Sequence, residues 1–298
     1  MASRLDGIVI AVLGGDEREL EVVRTLLRAG AELRLVGYPA HAELGGALRV
    51  PDPVVAVSGA QVVIAPMSNT DHEGNVKARL DKAVSIRIDN ELLAAVSPET
   101  PFFIGQAKPV VRALAARYRL RLIETADVDE IAILNSIPTA EGAIQIAMQE
   151  LPITIHGSRS VVLGFGRCGQ TLARMLHALG AKTCVVARSP SHMARAHEMG
   201  LDCRHIMELH RTVPRADIVF NTVPSLVLTR KVLELLSRTS LIVDIASEPG
   251  GTDFEAAREL GLKAILALGL PGKVAPKTAG RILARVLPGM ISTLLGGH

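Results

Sequence analysis

Ser160-Val161-Val162-Leu163-Gly164-Phe165-Gly166-Arg167-Cys168-Gly169 joins a short strand-like run to a Gly-x-Gly-x-x-Gly turn, and an amphipathic segment follows to about residue 179. A strand that runs through such a turn directly into a helix is the opening unit of a parallel α/β sheet. Outward from it, β-branched runs recur at 183–187, 218–221, 241–245 and 264–268, with helical patterns between them. The first half opens the same way: 8–13 is a buried-strand pattern, Gly14-Gly15-Asp16 a turn, and 17–28 a helix with Leu20, Val23, Leu26 and Leu27 on one face. Further strands are expected at 33–36, 62–65, 102–104 and 120–123, with a helix at 108–118. The predicted fold is α/β: two Rossmann-like parallel-sheet domains with an interdomain cleft, linked by crossover helices. The expected boundaries are 1–130 for an N-terminal substrate and catalytic domain and 131–276 for a dinucleotide-binding domain entered by a crossover helix at about 131–150. Residues 277–298 are expected to form a helix returning to the first domain. Pro138 and Pro288 predict a kink or a break in the two bridging helices.

The 298 residues carry 48% hydrophobic and 21% charged side chains with a net charge of +3, which excludes disorder. Three cysteines, Cys168, Cys184 and Cys203, cannot all pair, so a reducing, cytoplasmic setting is expected. No apolar run reaches the roughly 18 residues needed to span a bilayer, so no membrane is expected. Five Phe, two Tyr and no Trp offer no stacking platform for nucleic acid.

At the glycine turn, Gly164 permits the tight turn, Gly166 lets a pyrophosphate approach the backbone, and Gly169 allows close helix–strand packing. Phe165, Arg167 and Cys168 complete the turn; Cys168 at a helix start reads more readily as packing than as a redox thiol. About 20 residues on, an NAD enzyme typically places a carboxylate against the ribose. Here the second strand ends Ala187-Arg188-Ser189-Pro190, and a guanidinium with a hydroxyl suits a 2′-phosphate, so NADP is the expected cofactor and NAD the alternative. Asn221-Thr222-Val223-Pro224 and Ala246-Ser247 end later strands where they are expected to line the nicotinamide side, with ordinary loop chemistry the alternative for each. No metal-ligand spacing and no Gly-x-Ser-x-Gly elbow occurs. Polar stretches expected to be loops fall at 66–70, 135–142 and 271–278.

Several longer stretches carry a resemblance. They are Val12-Leu13-Gly14-Gly15-Asp16, Ile131 through Gly142 (Ile-Ala-Ile-Leu-Asn-Ser-Ile-Pro-Thr-Ala-Glu-Gly), Thr154-Ile155-His156-Gly157-Ser158, and Asn221-Thr222-Val223-Pro224-Ser225. Pro249-Gly250-Gly251-Thr252-Asp253-Phe254, Gly269-Leu270-Pro271-Gly272 and Ala275-Pro276-Lys277-Thr278-Ala279-Gly280 complete the set. Over nearly its whole length the chain resembles the A subunit of dipicolinate synthase from spore-forming bacteria. It departs at Ser68-Asn69-Thr70-Asp71-His72-Glu73-Gly74, where a Ser-Gly-Thr-type segment is expected. The resemblance implies NADP-dependent oxidation of dihydrodipicolinate to dipicolinate during sporulation, beside a flavoprotein-like B subunit, and leaves room for a homo-oligomer. For that chemistry the candidate anchors of the substrate carboxylates are Ser68, Asn69, Thr70, Ser136, Thr139, Lys277 and Thr278. Glu141 is the candidate proton acceptor, and Lys277 and Ser136 are grouped with it as catalytic. With Tyr38, Phe102 and Phe103 more suited to core positions, the ligand is expected to be gripped through its carboxylates. Two other readings stand. A 2-hydroxyacid dehydrogenase shares the layout but wants an Arg after strand 241–245 and a His near the later glycine loop, where this chain has Ala246-Ser247-Glu248-Pro249 and Gly269-Leu270-Pro271-Gly272. A non-catalytic NADP-binding or scaffold subunit would carry the same cofactor motif.

Overall fold

The computed structural model describes residues 4–40, 44–68, 70–81 and 83–296, and the chain divides into two units, Met1–Leu134 with Ala275–His298, and Asn135–Val274. In unit 1 the chain forms β1 (Val9–Leu13), α1 (Glu17–Arg28), β2 (Glu32–Val36), β3 (Leu48–Arg49), α2 (Pro53–Val57) and β4 (Val62–Ile64). It continues through β5 (Asn75–Val76), β6 (Ile86–Arg87), α3 (Asn90–Ala94), β7 (Pro101–Ile104), α4 (Pro109–Arg117) and β8 (Arg121–Glu124). The sheet order is β3-β2-β1-β4-β7-β8 with every pairing parallel, while β5 and β6 make a separate antiparallel pair. Strands buried on both faces are runs of Val, Ile and Phe rather than alternations, as in Phe102-Phe103-Ile104.

The chain passes into unit 2 within α5 (Asp129–Glu150). There it forms β9 (Arg159–Leu163), α6 (Arg167–Ala178), β10 (Lys182–Ala187), α7 (Pro190–Glu198), β11 (Asp202–His205), α8 (Leu209–Thr212) and β12 (Ile218–Asn221). Then come α9 (Arg230–Leu233), β13 (Leu241–Asp244), α10 (Phe254–Glu259), β14 (Lys263–Leu266) and α11 (Leu270–Val274). This sheet, β11-β10-β9-β12-β13-β14, is also wholly parallel. In both sheets the order reverses beside the first strand, at β1/β4 and at β9/β12. In such sheets the ligand crevice lies outside the strands' carboxyl ends at that reversal.

The final helix, α12 (Pro276–Leu294), belongs to unit 1: Ile282, Leu283, Val286, Leu287 and Ile291 share a core with Val22, Val23 and Leu26 of α1. One expectation is narrowed and one is corrected. Pro138 and Pro288 lie inside continuous helices, so neither breaks its helix. Both prolines are buried, and the packing around them offsets the one helical hydrogen bond each removes. The stretches 135–142 and 271–278 are not loops either. The first lies within α5, and the second is helical except at Ala275, the residue between α11 and α12. Gly142 sits in α5 because a Cβ there would stand 3.2 Å from Leu270 and Val274, which makes it a packing position rather than a turn.

Candidate functional site

In unit 2 the glycine turn leaves β9 at Gly164 (φ 89°) and starts α6 with Gly166 as its N-cap, which carries no side chain to occupy the first helical N–H groups. A Cβ on Gly166 would meet nothing within 4 Å, whereas one on Gly169 would lie 2.4 Å from the Gly164 carbonyl oxygen. The turn is thus closed against its own strand at Gly169 and open at Gly166, the arrangement a pyrophosphate needs. Phe165 is buried, and Arg167 is exposed at the helix start. Burial pushes the Cys168 thiol above its ordinary value and carries Cys184 up to about 12, which keeps both thiols protonated.

The end of β10 presents Arg188, exposed and without a carboxylate partner among the described residues, followed by Ser189, whose hydroxyl lies 2.7 Å from that of Ser191. Across the sheet, Thr222 donates its hydroxyl to the Leu163 carbonyl (2.8 Å), tying the loop after β12 to the end of β9. Asn221 and Asp244, both fully buried, hold the loops after β12 and β13 together. The Asn221 amide donates to Asp244 Oδ1 and to the Val223 carbonyl at 3.0 Å each, and its carbonyl accepts from Val223 N. Asp244 also accepts from Ala246 N, Gly251 N and the Thr252 hydroxyl. Val223, Pro224, Ala246 and Ser247 are therefore displayed on a braced frame. Asp244 was missed by sequence reasoning; a carboxylate ending the apolar strand Leu241-Ile242-Val243-Asp244 was its only signal.

Unit 1 closes the corresponding turn. Asp16 caps α1 by accepting from Arg18 N, and Glu19 reaches back to Asp16 N (2.8 Å), so two carboxylates occupy the helix start. Arg18 binds both Asp16 oxygens at 2.9 Å. Glu19, 2% exposed, also accepts from Met67 N at 2.9 Å, linking the β1–α1 turn to the loop after β4; its burial holds the carboxyl above the ordinary carboxylate value. That loop carries Ser68 and Thr70, whose hydroxyl oxygens are buried without a partner among the described residues. Asn69 lies outside the described residues. Tyr38, Phe102 and Phe103 are core residues.

The remaining candidates are dispersed over helices. Ser136 is fully buried on α5 with its hydroxyl 2.6 Å from that of Thr171, and Thr139 donates to the Asn135 carbonyl at 2.8 Å. Glu141 is exposed on the same helix, and Lys277 and Thr278 are exposed in the first turn of α12. Among the described residues no group of three His, Cys, Asp or Glu is placed to hold a metal ion, and no helix is long and apolar enough to cross a membrane.

Residues 9–126 match the family model for the N-terminal domain of the dipicolinate synthase A subunit. Residues 138–246 match that for the NAD binding domain of D-isomer specific 2-hydroxyacid dehydrogenases. The dipicolinate synthase A subunit of Bacillus subtilis (strain 168) is 42% identical over 97% of this chain and 98% of its own. The crystal structure of the corresponding A subunit from Bacillus halodurans superposes with a TM-score of 0.92 at 38% identity, covering 97% of this chain and 99% of that one. A transhydrogenase from Sinorhizobium meliloti, 13% identical over 97% of this chain and 94% of its own, shares the fold with a TM-score of 0.70.

Proposed function

The chain belongs to the family of dipicolinate synthase A subunits, and from that premise we propose that it oxidises dihydrodipicolinate to dipicolinate with NADP. Unit 2 is a nicotinamide-dinucleotide-binding domain and the chain a dehydrogenase-type oxidoreductase. The observation that carries the reading is the open backbone at Gly166 facing the start of α6, which suits a pyrophosphate where a side chain would block it. Gly164, Gly166 and Gly169 with Arg167 hold the pyrophosphate. Thr222 to Pro224 and Ala246-Ser247 border the nicotinamide. Arg188 and Ser189 take the 2′-phosphate, which favours NADP because no carboxylate stands at the end of β10.

Once bound, the cofactor supplies the hydride acceptor. Loss of a hydride and a proton from a dihydropyridine leaves an aromatic ring, so the chain's task is chiefly to hold the substrate and remove the proton. Ser68, Asn69, Thr70, Lys277 and Thr278 are the carboxylate anchors drawn from unit 1. Glu141 is the proton acceptor. Ser136 and Thr139 already bond to Thr171 and to the helix backbone, which favours a supporting role for them on α5. A B subunit is the proposed partner. The test is to follow NADPH absorbance after mixing the chain, by itself and with its B subunit, with dihydrodipicolinate and NADP. NADPH is expected in at least one mixture; none in either would leave a cofactor-binding scaffold and overturn the dehydrogenase reading.

A further inference from the structure

Unit 1 repeats the strand, glycine turn and helix of unit 2, yet its own side chains fill the places a dinucleotide would use. Asp16 and Glu19 occupy the α1 N-terminus, and a Cβ on Gly15 would already collide with Glu19. On the β1–β2 side, Val76 and Ile86 crowd Gly14, and Ala78 crowds Gly37. A phosphate would meet two carboxylates there. What stays available is the rim at the carboxyl ends of β1 and β4.

Three segments meet at that rim. The loop after β4 brings Ser68 and Thr70, whose buried hydroxyl oxygens lack partners among the described residues, and unpartnered buried polar atoms are exceptional in folded proteins. Thr70 pairs with Val76, and the chain then runs back onto the β1–α1 turn: Gly15 N donates to the Lys77 carbonyl (3.3 Å) and Arg79 N to the Gly15 carbonyl (2.9 Å). The backbone of Arg79 is thus fixed beside the turn, with its guanidinium exposed. Arg79 lies near enough to Asp16 to help lower its carboxyl, but both Asp16 oxygens are bound by Arg18, and no carboxylate pairs with the Arg79 guanidinium among the described residues. The third segment is the start of α12, where a Cβ on Gly280 would lie 2.5 Å from the Arg18 carbonyl oxygen. This seats Lys277 and Thr278, less than one turn earlier, near the start of α1.

We propose that Arg79 is a carboxylate-binding residue of unit 1, gripping one carboxylate of a pyridine-type dicarboxylate together with Ser68 and Thr70, while Glu19 positions their loop through Met67. A guanidinium pairs with a carboxylate through two parallel N–H donors, a geometry that fixes orientation as well as charge. The other arginine at this turn, Arg18, is committed to Asp16. Lys277 and Thr278 then remain for the second carboxylate. The assignment rests on the substrate reading above.

The test is calorimetric titration of the full chain, with NADP present, using dipicolinate and its one-carboxylate analogue picolinate. The parent chain is expected to prefer dipicolinate. Arg79→Ala should weaken dipicolinate by at least about 10-fold, change picolinate less, and so collapse that preference, with NADP affinity unmoved. Arg79→Lys should recover part of the loss. A purely structural role predicts instead that both acids and NADP weaken together, which would overturn the assignment, as would a preference unchanged in Arg79→Ala. If the parent chain binds dipicolinate no better than picolinate, the substrate reading itself falls and takes this one with it.

Discussion

Arg188 and Arg18 make opposite uses of the same side chain. Arg188 is exposed at the end of β10 with no carboxylate partner among the described residues, so Arg188→Ala should weaken NADP by about 10-fold or more while leaving NAD nearly unchanged. Titration with each dinucleotide checks this, and equal losses would count against the 2′-phosphate assignment. Arg18 is spent within the fold. Burial opposes the Asp16 charge, but the Arg18 hydrogen bonds and charge outweigh it and hold the carboxyl below its ordinary 3.8. A carboxyl depressed in the folded state stabilises the fold above its unfolded value, and that contribution disappears as pH falls through the folded value. Arg18→Gln should therefore be destabilised near neutral pH, with its deficit shrinking as urea unfolding is repeated from about pH 6 toward about pH 3. A deficit independent of pH would remove the ion pair from the explanation. Arg188 was legible in the sequence because its place, at the end of the second strand after a glycine turn, is fixed by local pattern. Glu19 was not: its role comes from Met67, 48 residues away. The Asn221–Asp244 bond, spanning 23 residues, was hidden for the same reason.

The main strands and the parallel character of both sheets were readable because buried parallel strands are continuous β-branched runs and the two glycine turns mark where each sheet begins. The short strands β3, β5, β6 and β11 were not. The bridging helices at about 131–150 and 277–298 were expected, but the stretches 135–142 and 271–278, which overlap them, also read as loops because Pro, Gly, Ser and Thr there look like breakers. Thr139 instead bonds back to the Asn135 carbonyl, Ser136 reaches Thr171, and Gly142 admits Leu270 and Val274. Glycine as a contact point between helices leaves the same letter in the sequence as glycine in a turn. Gly280 is the sharper case, with backbone rather than a flexible side chain 2.5 Å from where its Cβ would be. Gly280→Ala should push α12 off α1 and destabilise unit 1 by about 1–3 kcal/mol, read as a lower denaturation midpoint. An unchanged midpoint would show that the two helices adjust freely.

Unit 1 is assembled from both ends of the chain, and Leu287 of α12, 2% exposed, sits in its core with Leu26 of α1. Leu287→Asp buries a charge among these side chains. Amide exchange should accelerate across 5–134 while β9, β10 and β12 of unit 2 keep their protection; a uniform rise over both units would mean that they unfold as one. The same discontinuity sets an order of events during synthesis. Unit 2, contiguous in sequence, has all its residues once position 274 has left the ribosome, whereas the earlier-made strands of unit 1 wait for the last helix. Until then the nascent chain displays the apolar side of α1, Val22, Val23 and Leu26, to whatever chaperone or neighbouring chain meets it first.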